Sequence, residues 1–384
     1  MAKDKNNNVV FVSNNITTPT YSGIKKIVYK LKRQVPEDAH RYLRFYEESI
    51  IHGQSAAEEL IKLQQRGFKP DIIIGHSWGS SLFVKEIFPD TPYIAYIEWY
   101  YNYKNSDIDF GKKEVDINEK ASLMCRNAHI LQDLVKCDYG LSPTQWQKQQ
   151  VPEIFRDKIT VIHEGIDTDF CKPNPDAKFK IPNTDIILTK NDEILSYATR
   201  GMEEYRGFPE FMKAASILMK QRPNLKVIIG GEDKVCYGRR IINSTFKKEM
   251  LKRYEYDMDR LYFVGNLPYK DYINLLQVTT THIYLTYPFV LSWSLMESMA
   301  IGCRIIASDT APVKEVIKDG FNGILTDFYN TDELVKKVNK VLDNKDDYYE
   351  ITKNARETII KNYNLKNMLN KQIEFINNCI KEYK

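Results

Sequence analysis

The chain has 384 residues, 43% of them hydrophobic, which is enough to bury the cores of two domains. Its 55 basic and 51 acidic residues nearly cancel, which argues against a nucleic-acid binder but allows a mildly basic face to touch anionic lipid. The six cysteines form no CxxC pair and favour a reducing compartment without disulfides or a zinc site. No apolar run reaches membrane-spanning length, and the first residues lack a signal peptide's apolar core. We therefore expect a cytoplasmic protein, with peripheral contact at the inner membrane face as its only membrane role.

The N-terminal region is predicted to alternate between strands and helices. Residues 9–13 (VVFVS) are typical of a first strand, and a helix is predicted from Ile24 to about Arg33. In the loop between them, Ser22 and Gly23 are candidates for close backbone approach to a ligand, although an ordinary turn would use the same residues. The chain contains no G-x-G-x-x-G, which weakens a dehydrogenase interpretation.

The predicted strands DIIIGH and YIAYIE end at His76 and Glu98. His76 is a candidate ligand-binding residue, or else a capping or structural group. In a low-dielectric cleft, Glu98 could accept a proton from an acceptor hydroxyl; alternatively, it is a solvated loop residue. Trp99 and Tyr100 follow, and suit either stacking on a sugar ring or lipid, or packing of the loop. His76, Trp99 and Tyr100 are the candidate acceptor side, and Glu98 is a catalytic candidate.

A long helix is predicted over 117–136, followed by a short strand over 139–142. The next helix is predicted to have Ser142 as its N-cap and Pro143 as its first residue. The segment VIHEGIDT then ends the first domain, and we place the boundary near residue 168.

The second domain opens with a strand that ends at Thr199, followed by Arg200 and by Arg206 before an amphipathic helix. LKVIIGGED is the next predicted strand, and its double glycine at Gly231 would let a nucleotide come close. No HExxH motif and no Asp/His cluster at metal-ligand spacing occurs in the chain.

The stretch from Thr281 to Gly323 carries the strongest pattern. HIYLTY is a predicted buried strand, PFVL a turn, SWSLMESMAI a helix that ends at Gly302, and CRIIASD the next strand. Because parallel strands place the turns that follow them at one edge of the sheet, these turns are expected at a ligand-binding edge. Backbone N–H groups near Val290 to Ser294 would suit a phosphate there.

The segments YPFVLSWSLMESMA, GCRIIASD, DGFNG, VIHEGIDT, TRGMEEYRG and LYFVGNLP together resemble the family 4 retaining glycosyltransferases. The resemblance implies an α/β protein of the GT-B fold. Two facing Rossmann-like domains would hold a nucleotide-sugar in the cleft between them, and a C-terminal helix would cross back to the first domain. The expected boundaries are 1–168 for the acceptor-side domain, 169–364 for the nucleotide-sugar domain and 365–384 for the final helix.

The resemblance also implies roles for particular residues. Arg200 and Arg206 would hold the donor diphosphate, the alternative being that they are solvated charges. Glu297 would bind the ribose hydroxyls, although Ser294 and Glu297 also have the spacing of a capping box. The predicted donor-binding residues are Ser22, Gly23, Arg200, Arg206, Gly231, Asn266, Leu267, Phe289, Val290, Leu291 and Glu297, with backbone groups of Asn266 and Leu267 beside the base.

Two positions depart from the family pattern. Phe289 stands where the first glutamate of a pair is expected, and Glu98 stands where many members have a histidine. The first departure leaves the sugar and catalytic competence open, but the N–H groups of Val290 and Leu291 could still cradle the distal phosphate, since that needs no side chain.

The resulting prediction is a metal-independent retaining glycosyltransferase, of the hexosyltransferase class, with Glu98, Arg200 and Arg206 as catalytic candidates. It would move a sugar from a nucleotide-sugar, most simply a UDP-sugar, to a hydroxyl of a cell-surface glycoconjugate precursor or a protein. The acceptor is a carbohydrate, a lipid-linked precursor or a protein, and no cofactor is expected because the nucleotide-sugar is a co-substrate. The alternatives are a nucleotide-sugar epimerase and a non-catalytic nucleotide-sugar-binding subunit.

Overall fold

The computed structural model describes residues 2, 4–17, 19, 21–112 and 114–383. The chain divides into two compact units, Met1–Glu164 with Met368–Lys384, and Gly165–Asn367. We call these unit 1 and unit 2. Each contains a parallel β-sheet with helices, which is the α/β class predicted from the sequence.

The strands over the described residues are short, as is usual for parallel sheets covered by helices. Strands β1 to β14 span Val9–Ser13, Ile24–Val28, Ile73–His76, Tyr93–Tyr96, Tyr139–Ser142, Ile159–Val161, Phe179–Lys180, Ile187–Leu188, Ile194–Gly201, Lys226–Glu232, Leu261–Gly265, Thr281–Tyr284, Ile305–Ser308 and Ile324–Thr326.

The helices range from single turns to more than five turns. Helices α1 to α14 span Arg44–Gln65, Val84–Ile87, Ile117–Arg126, Ala128–Lys136, Gln145–Gln150, Glu153–Arg156, Phe208–Gln221, Phe246–Arg253, Tyr269–Val278, Trp293–Ile301, Ala311–Lys314, Thr331–Asp343, Tyr349–Tyr363 and Leu365–Tyr383. Two 3-10 turns cover Glu204–Arg206 and Lys345–Tyr348. Within the described part of the chain, every helix is too short or too polar to cross a bilayer.

Unit 1 has a four-stranded parallel sheet in the order β3-β4-β5-β6 and a separate parallel pair, β1 and β2. The predicted helix from Ile24 to Arg33 is wrong, because Ile24–Val28 pairs with Val9–Ser13 in register as β2. The segment IKKIV has three β-branched residues in five, and their preference for the pleated surface outweighs the helical spacing inferred from sequence.

Two further predictions in unit 1 are corrected. The helix over 117–136 is interrupted at Asn127, whose buried amide is hydrogen-bonded to both backbone groups of Tyr101. Ser142 ends β5 and is not an N-cap; Thr144 caps α5 by accepting from the Gln147 N–H. In both places side-chain hydrogen bonds to the backbone determine where the helix begins or ends.

The final helix packs on unit 1, as predicted for the C-terminal helix. Met368, Ile376 and Cys379 of α14 form one buried cluster with Ile94 of β4 and Leu141 of β5. The chain therefore returns to its first unit after completing the second.

Unit 2 has a six-stranded parallel sheet in the order β11-β10-β9-β12-β13-β14. When the six strands of this sheet are numbered along the chain, the order is 3-2-1-4-5-6, the doubly wound order of dinucleotide-binding domains. The order reverses between β9 and β12, which pair directly through Leu195 and Thr281. The connections after these two strands therefore leave on opposite faces and open a crevice at their carboxyl ends, where such sheets bind ligands.

Candidate functional site

Arg206 links the two connections that flank this crevice. Its guanidinium donates to Thr286 Oγ1 at 2.7 Å and, from both terminal nitrogens, to the Val290 carbonyl at 3.3 and 3.4 Å. The residue is 8% exposed. Arg206 is therefore not a solvated charge; it fixes the turn after β12 and keeps a positive charge at the sheet edge.

The turn that follows β12 presents backbone donors. The Ser292 N–H donates to the Tyr284 hydroxyl at 2.9 Å, and Arg206 holds the Val290 carbonyl. Among the described residues, the N–H groups of Val290 and Leu291 have no acceptor. Val290 is half-buried and Leu291 is buried, so these two unpaired backbone donors are suited to an anionic ligand.

The second predicted cation, Arg200, lies at the end of β9 and is exposed. A hydrogen bond to the side chain of Tyr237 raises the pKa of the Arg200 guanidinium. The Tyr237 ring also lies 5.2 Å from the Arg206 guanidinium, at cation–π distance. Tyr237 thus connects the two arginines, although the sequence interpretation did not include it.

Phe289 lies in an aromatic cluster beside these arginines. It is 9% exposed, and its ring lies 5.7 Å from Tyr205 and 5.2 Å from Tyr237. Tyr205 in turn stacks on Tyr287 at 4.9 Å. The position expected to carry a glutamate therefore contributes hydrophobic packing and no carboxylate.

Glu297 belongs to a second group of interacting residues at the same edge of the sheet. It lies on α10, is 8% exposed, and its Oε1 accepts a hydrogen bond from the Tyr269 hydroxyl at 2.8 Å. Burial raises the pKa of Glu297, and the hydrogen bond from Tyr269 partly offsets that rise. The capping-box alternative is wrong, because the N-cap is Ser292, whose hydroxyl accepts from the Ser294 N–H.

Asn266 and Leu267 follow β11 and lie two or three residues before Tyr269. Together with the turn of the β7–β8 hairpin, residues 180–185, they line a cavity of about 720 Å³. This is large enough for a small organic group. Helix α9 follows these cavity-lining residues along the chain. It begins at Tyr269, whose hydroxyl donates to Glu297.

Gly231 does not provide an open approach for a ligand. Its φ of 123° requires glycine, and a Cβ there would lie 2.0 Å from the Thr199 carbonyl oxygen. The residue allows β10 to approach β9 closely, which gives the glycine a structural reason, and the ligand contact stays a prediction.

In unit 1, the structure brings His76 and Glu98 together at the ends of β3 and β4. The Trp78 indole donates to Glu98 Oε2 at 2.8 Å, and His76 Nδ1 lies 4.0 Å from Glu98 Oε1. The His76 ring also lies 4.7 Å from that of Tyr96. The His76 and Glu98 side chains are 59% and 38% exposed, so they remain open to a ligand.

The other unit 1 candidates lie elsewhere. Trp99 is 1% exposed and packs on Trp146, which favours the packing alternative. Tyr100 is half-buried, and burial raises its pKa. Ser22 and Gly23 are exposed before β2, where a Cβ on Gly23 would lie 2.2 Å from the Ala2 carbonyl oxygen. The contacts among the described residues do not join them to His76 or Glu98.

A buried polar group supports the loop after β3. Asp133 of α4 accepts from the Tyr93 hydroxyl at 2.9 Å and from the Ser81 hydroxyl at 3.0 Å, and burial raises its pKa to about 6. One turn earlier on α4, burial lowers the pKa of His129 to about 4. The sequence shows that these two residues are one helical turn apart in α4, but it does not show what they contact.

Two family models cover most of the chain. The family 4 group of glycosyl transferases matches residues 5–171, and the group 1 glycosyl transferases match residues 183–358. The chain belongs to the group 1 glycosyltransferases of the family 4 type.

An uncharacterised glycosyltransferase of Methanocaldococcus jannaschii is 27% identical over 237 residues, which are 60% of this chain and 56% of the relative. One of Haemophilus influenzae is 24% identical over 180 residues, 46% of each chain. The chain thus spans about half the length of these curated relatives.

Solved structures show that the chain has the GT-B fold. Sucrose-phosphate synthase from Thermosynechococcus elongatus superposes with a TM-score of 0.70 at 13% identity, over 97% of this chain and 88% of that one. Anabaena HepE, solved in complex with UDP-glucose, gives 0.67 at 14% identity over 93% and 86%. A glycosyltransferase from Rickettsia africae gives 0.64 at 17% identity over 97% and 90%.

The sequence interpretation missed several residues of this site. Each of them contacts a residue that it did predict. Tyr237 and Tyr205 contact Phe289, and Tyr269 contacts Glu297. Their signal in the sequence is weak, because each lies in a different connection from its partner. Over the described residues, no three His, Cys, Asp or Glu side chains come together in a metal-binding group.

Proposed function

We propose that this chain transfers a sugar from a nucleotide-sugar, UDP-linked in the simplest case, to an acceptor hydroxyl with retention of anomeric configuration. The acceptor would be a carbohydrate, a lipid-linked precursor or a protein, and the cytoplasmic location and membrane contact expected from the sequence belong to the same proposal. Support for the donor comes from HepE, a neighbour of the same fold solved with UDP-glucose.

The observation that carries the proposal is the anion-binding arrangement at the reversal of strand order. Arg200 lies at the end of β9, and Arg206 and the N–H groups of Val290 and Leu291 belong to the connections after β9 and β12. Fixed guanidinium and amide donors neutralise a leaving diphosphate without having to reorganise. Glu297 is suited to the ribose, because a carboxylate oxygen is left after Tyr269 has bonded the other.

The proposed reaction occurs on one face of the donor. The acceptor oxygen forms a bond to the anomeric carbon as the bond from that carbon to the phosphate oxygen breaks. The electron pair of the broken bond leaves with the nucleoside diphosphate, and a phosphate oxygen takes the acceptor proton. In this proposal Arg200, Arg206 and the loop amides carry the charge of the leaving group, and no step is assigned to a metal.

On the acceptor side we propose His76 and Glu98. Glu98 is held by Trp78 and lies beside His76, so it can accept a hydrogen bond from a sugar hydroxyl. This would orient the acceptor, while the phosphate remains the proton acceptor in the reaction.

The test is incubation of purified protein with UDP-, GDP-, ADP- and dTDP-sugars, with and without pooled glycan, lipid-linked and peptide acceptors. We expect slow release of free nucleotide without acceptor and faster release with it, together with a glycosylated product of unchanged anomeric configuration by NMR. A sugar that is converted while still attached to its nucleotide would identify an epimerase instead.

A non-catalytic nucleotide-sugar binder is the second candidate, and the observation that favours it is Phe289. Its buried ring replaces a carboxylate expected near the donor sugar. Under that alternative, nucleotide-sugars would raise the unfolding temperature of the protein, but no sugar would be released or transferred in any acceptor pool. Under the enzyme proposal, binding and turnover show the same preference for one nucleotide.

A further inference from the structure

A buried carboxylate holds the loop after β10 against the end of β9. Glu203 is 0% exposed, and its two oxygens accept from the backbone N–H groups of Cys236, Tyr237 and Gly238 at 2.7 to 3.2 Å. Hydrogen bonds to an ionised acceptor are stronger than those between neutral groups, and a buried charge that lost them would be very costly. We call this arrangement the Glu203 clamp.

The surrounding space shows that the loop is held tightly by the clamp. A Cβ on Gly201 would lie 2.6 Å from the Lys234 carbonyl oxygen and 2.8 Å from Cys236 Sγ. A Cβ on Gly238 would lie 3.2 Å from the Tyr205 ring and 3.3 Å from Glu203 Oε2. Glycines at these two positions, one in β9 and one in the loop, therefore let the loop reach the carboxylate.

The clamped residue Tyr237 contacts both cations of the proposed diphosphate site. Its side chain is hydrogen-bonded to Arg200, and its ring lies 5.2 Å from the Arg206 guanidinium. The ring also packs on Phe289 at 5.2 Å and yet stays 40% exposed. Of the residues in this loop, Tyr237 is therefore the one placed to affect how both arginines meet an anion.

We propose that Glu203 is a positioning residue, which holds Tyr237 between Arg200 and Arg206 and so sets the affinity for the nucleoside diphosphate part of the donor. This inference rests on the proposed function and adds to it two residues, Glu203 and Tyr237, to which the family resemblance assigned no role. Both arginines are oriented before the ligand arrives, so less conformational freedom is lost on binding. The ring face also stabilises the Arg206 charge where it is withdrawn from solvent.

The experiment compares Glu203→Gln, Tyr237→Ala and the double variant, with UDP and the preferred UDP-sugar as probes. Glu203→Gln keeps the shape of the side chain but turns one acceptor into a donor that faces the loop N–H groups. We expect each single variant to raise the Kd of UDP and the KM of the donor by about tenfold, with a smaller change in kcat, since a hydrogen bond to a charged group contributes on that order. The double variant should be no worse than either single one, because both changes remove the same interaction.

Alkylation of Cys236 provides a readout that is independent of turnover. The thiol lies in the clamped loop, and we expect Glu203→Gln to increase its alkylation rate, measured by peptide mass spectrometry, with or without ligand. Glu204→Gln is the matched control: this neighbouring glutamate is exposed and should change neither the rate nor the Kd.

Additive effects of the two single variants, or an unchanged Kd in both, would overturn the inference. If Glu203→Gln does not fold, Tyr237→Ala alone decides it, since removal of a partly exposed ring should be tolerated and an unchanged Kd would again overturn it. A wild-type protein that binds no nucleotide would instead overturn the proposed function and, with it, the ligand assigned to Tyr237. If the wild-type protein binds UDP and the two variants bind it more weakly, both the inference and the proposed function are supported.

Discussion

The carboxyl edges of the two parallel sheets hold their polar side chains in different ways. In unit 2, Glu203, Arg206 and Glu297 are 0%, 8% and 8% exposed, and each is hydrogen-bonded to backbone groups or to another side chain. In unit 1, the side chains of His76 and Glu98 are 59% and 38% exposed, and the Trp78 indole is the donor that holds Glu98.

This difference has a physical consequence. A buried charge is tolerated only when it is paired, so the unit 2 side chains are fixed by the fold before any ligand arrives. Exposed charged residues are not constrained in this way, and substitutions at such positions cost little stability. We infer that unit 2 is built for one invariant ligand part, the nucleoside diphosphate, whereas unit 1 can adapt to different acceptors.

The largest effect should come from Arg206→Ala. It removes a charge from the proposed leaving-group site and leaves the buried Val290 carbonyl and Thr286 hydroxyl without their donor. Loss of a comparable transition-state donor lowers kcat by roughly 100- to 1000-fold, and we expect a decrease of this size in sugar transfer. Arg206→Lys should recover only part of it, because an ammonium cannot reproduce the guanidinium fork.

The control for Arg206 is Arg253→Ala, at the exposed end of α8, which should leave transfer unchanged. Thermal unfolding of both variants separates a loss of catalysis from a loss of fold. An Arg206→Ala protein with full activity would show that the buried arginine serves the fold alone.

A second prediction concerns the buried pair that supports the unit 1 loop. Burial raises the pKa of Asp133 from 3.8 to about 6, so the folded state binds its proton more tightly, and this stabilisation is lost as pH rises through 6. Burial lowers the pKa of His129 from 6.5 to about 4, so its effect is opposite and stability increases over almost the same range. Each contribution amounts to about 3 kcal/mol, and the two largely cancel.

Urea unfolding between pH 4 and 7 can separate these contributions. Relative to wild type, Asp133→Asn should become more stable with rising pH, since only the His129 contribution remains, and His129→Gln should become less stable. Asp90→Asn, at an exposed position, should follow the wild-type curve. Parallel curves for all four proteins would show that neither group titrates differently in the folded state.

Local patterns predicted the elements that form unit 2, but not the contacts between them. Gly302 ends α10 with a φ of 78°, as a glycine after a helical run predicts. By contrast, the bonds from Tyr269 to Glu297 and from Tyr237 to Glu203 join residues 28 and 34 positions apart. No local pattern specifies such a pair. The β2 error has a different cause, because the β-branched residues of IKKIV favour a strand that pairs with β1, and this preference outweighs the helical spacing.

The third prediction tests the ribose carboxylate. Glu297→Gln should raise the Kd of UDP roughly 30-fold, because two hydrogen bonds to a charged acceptor become bonds to a neutral one. Burial raises the pKa of Glu297, so wild-type affinity should fall as pH decreases through that raised value and the carboxylate gains a proton. Tyr269→Phe removes a bond that lowers the same pKa, and the loss of affinity should therefore begin at a higher pH.

Calorimetric titration with UDP from pH 4.5 to 8 measures both effects. Tyr349→Phe is a suitable control, since this tyrosine is 66% exposed. An identical pH profile of UDP affinity in wild type and Tyr269→Phe would show that the protonation of Glu297 does not affect nucleotide binding.

The smallest effects are expected at the exposed edge of unit 1. Trp78→Phe removes the indole donor to Glu98 but keeps an aromatic ring, and Glu98→Gln removes the charge that faces His76. Because both side chains are open to solvent, the acceptor KM should rise only about three- to tenfold, while the donor KM and slow hydrolysis of the donor stay unchanged. Equal losses in hydrolysis and transfer would instead place Glu98 on the donor side, and the division of labour between the two sheet edges would then not hold.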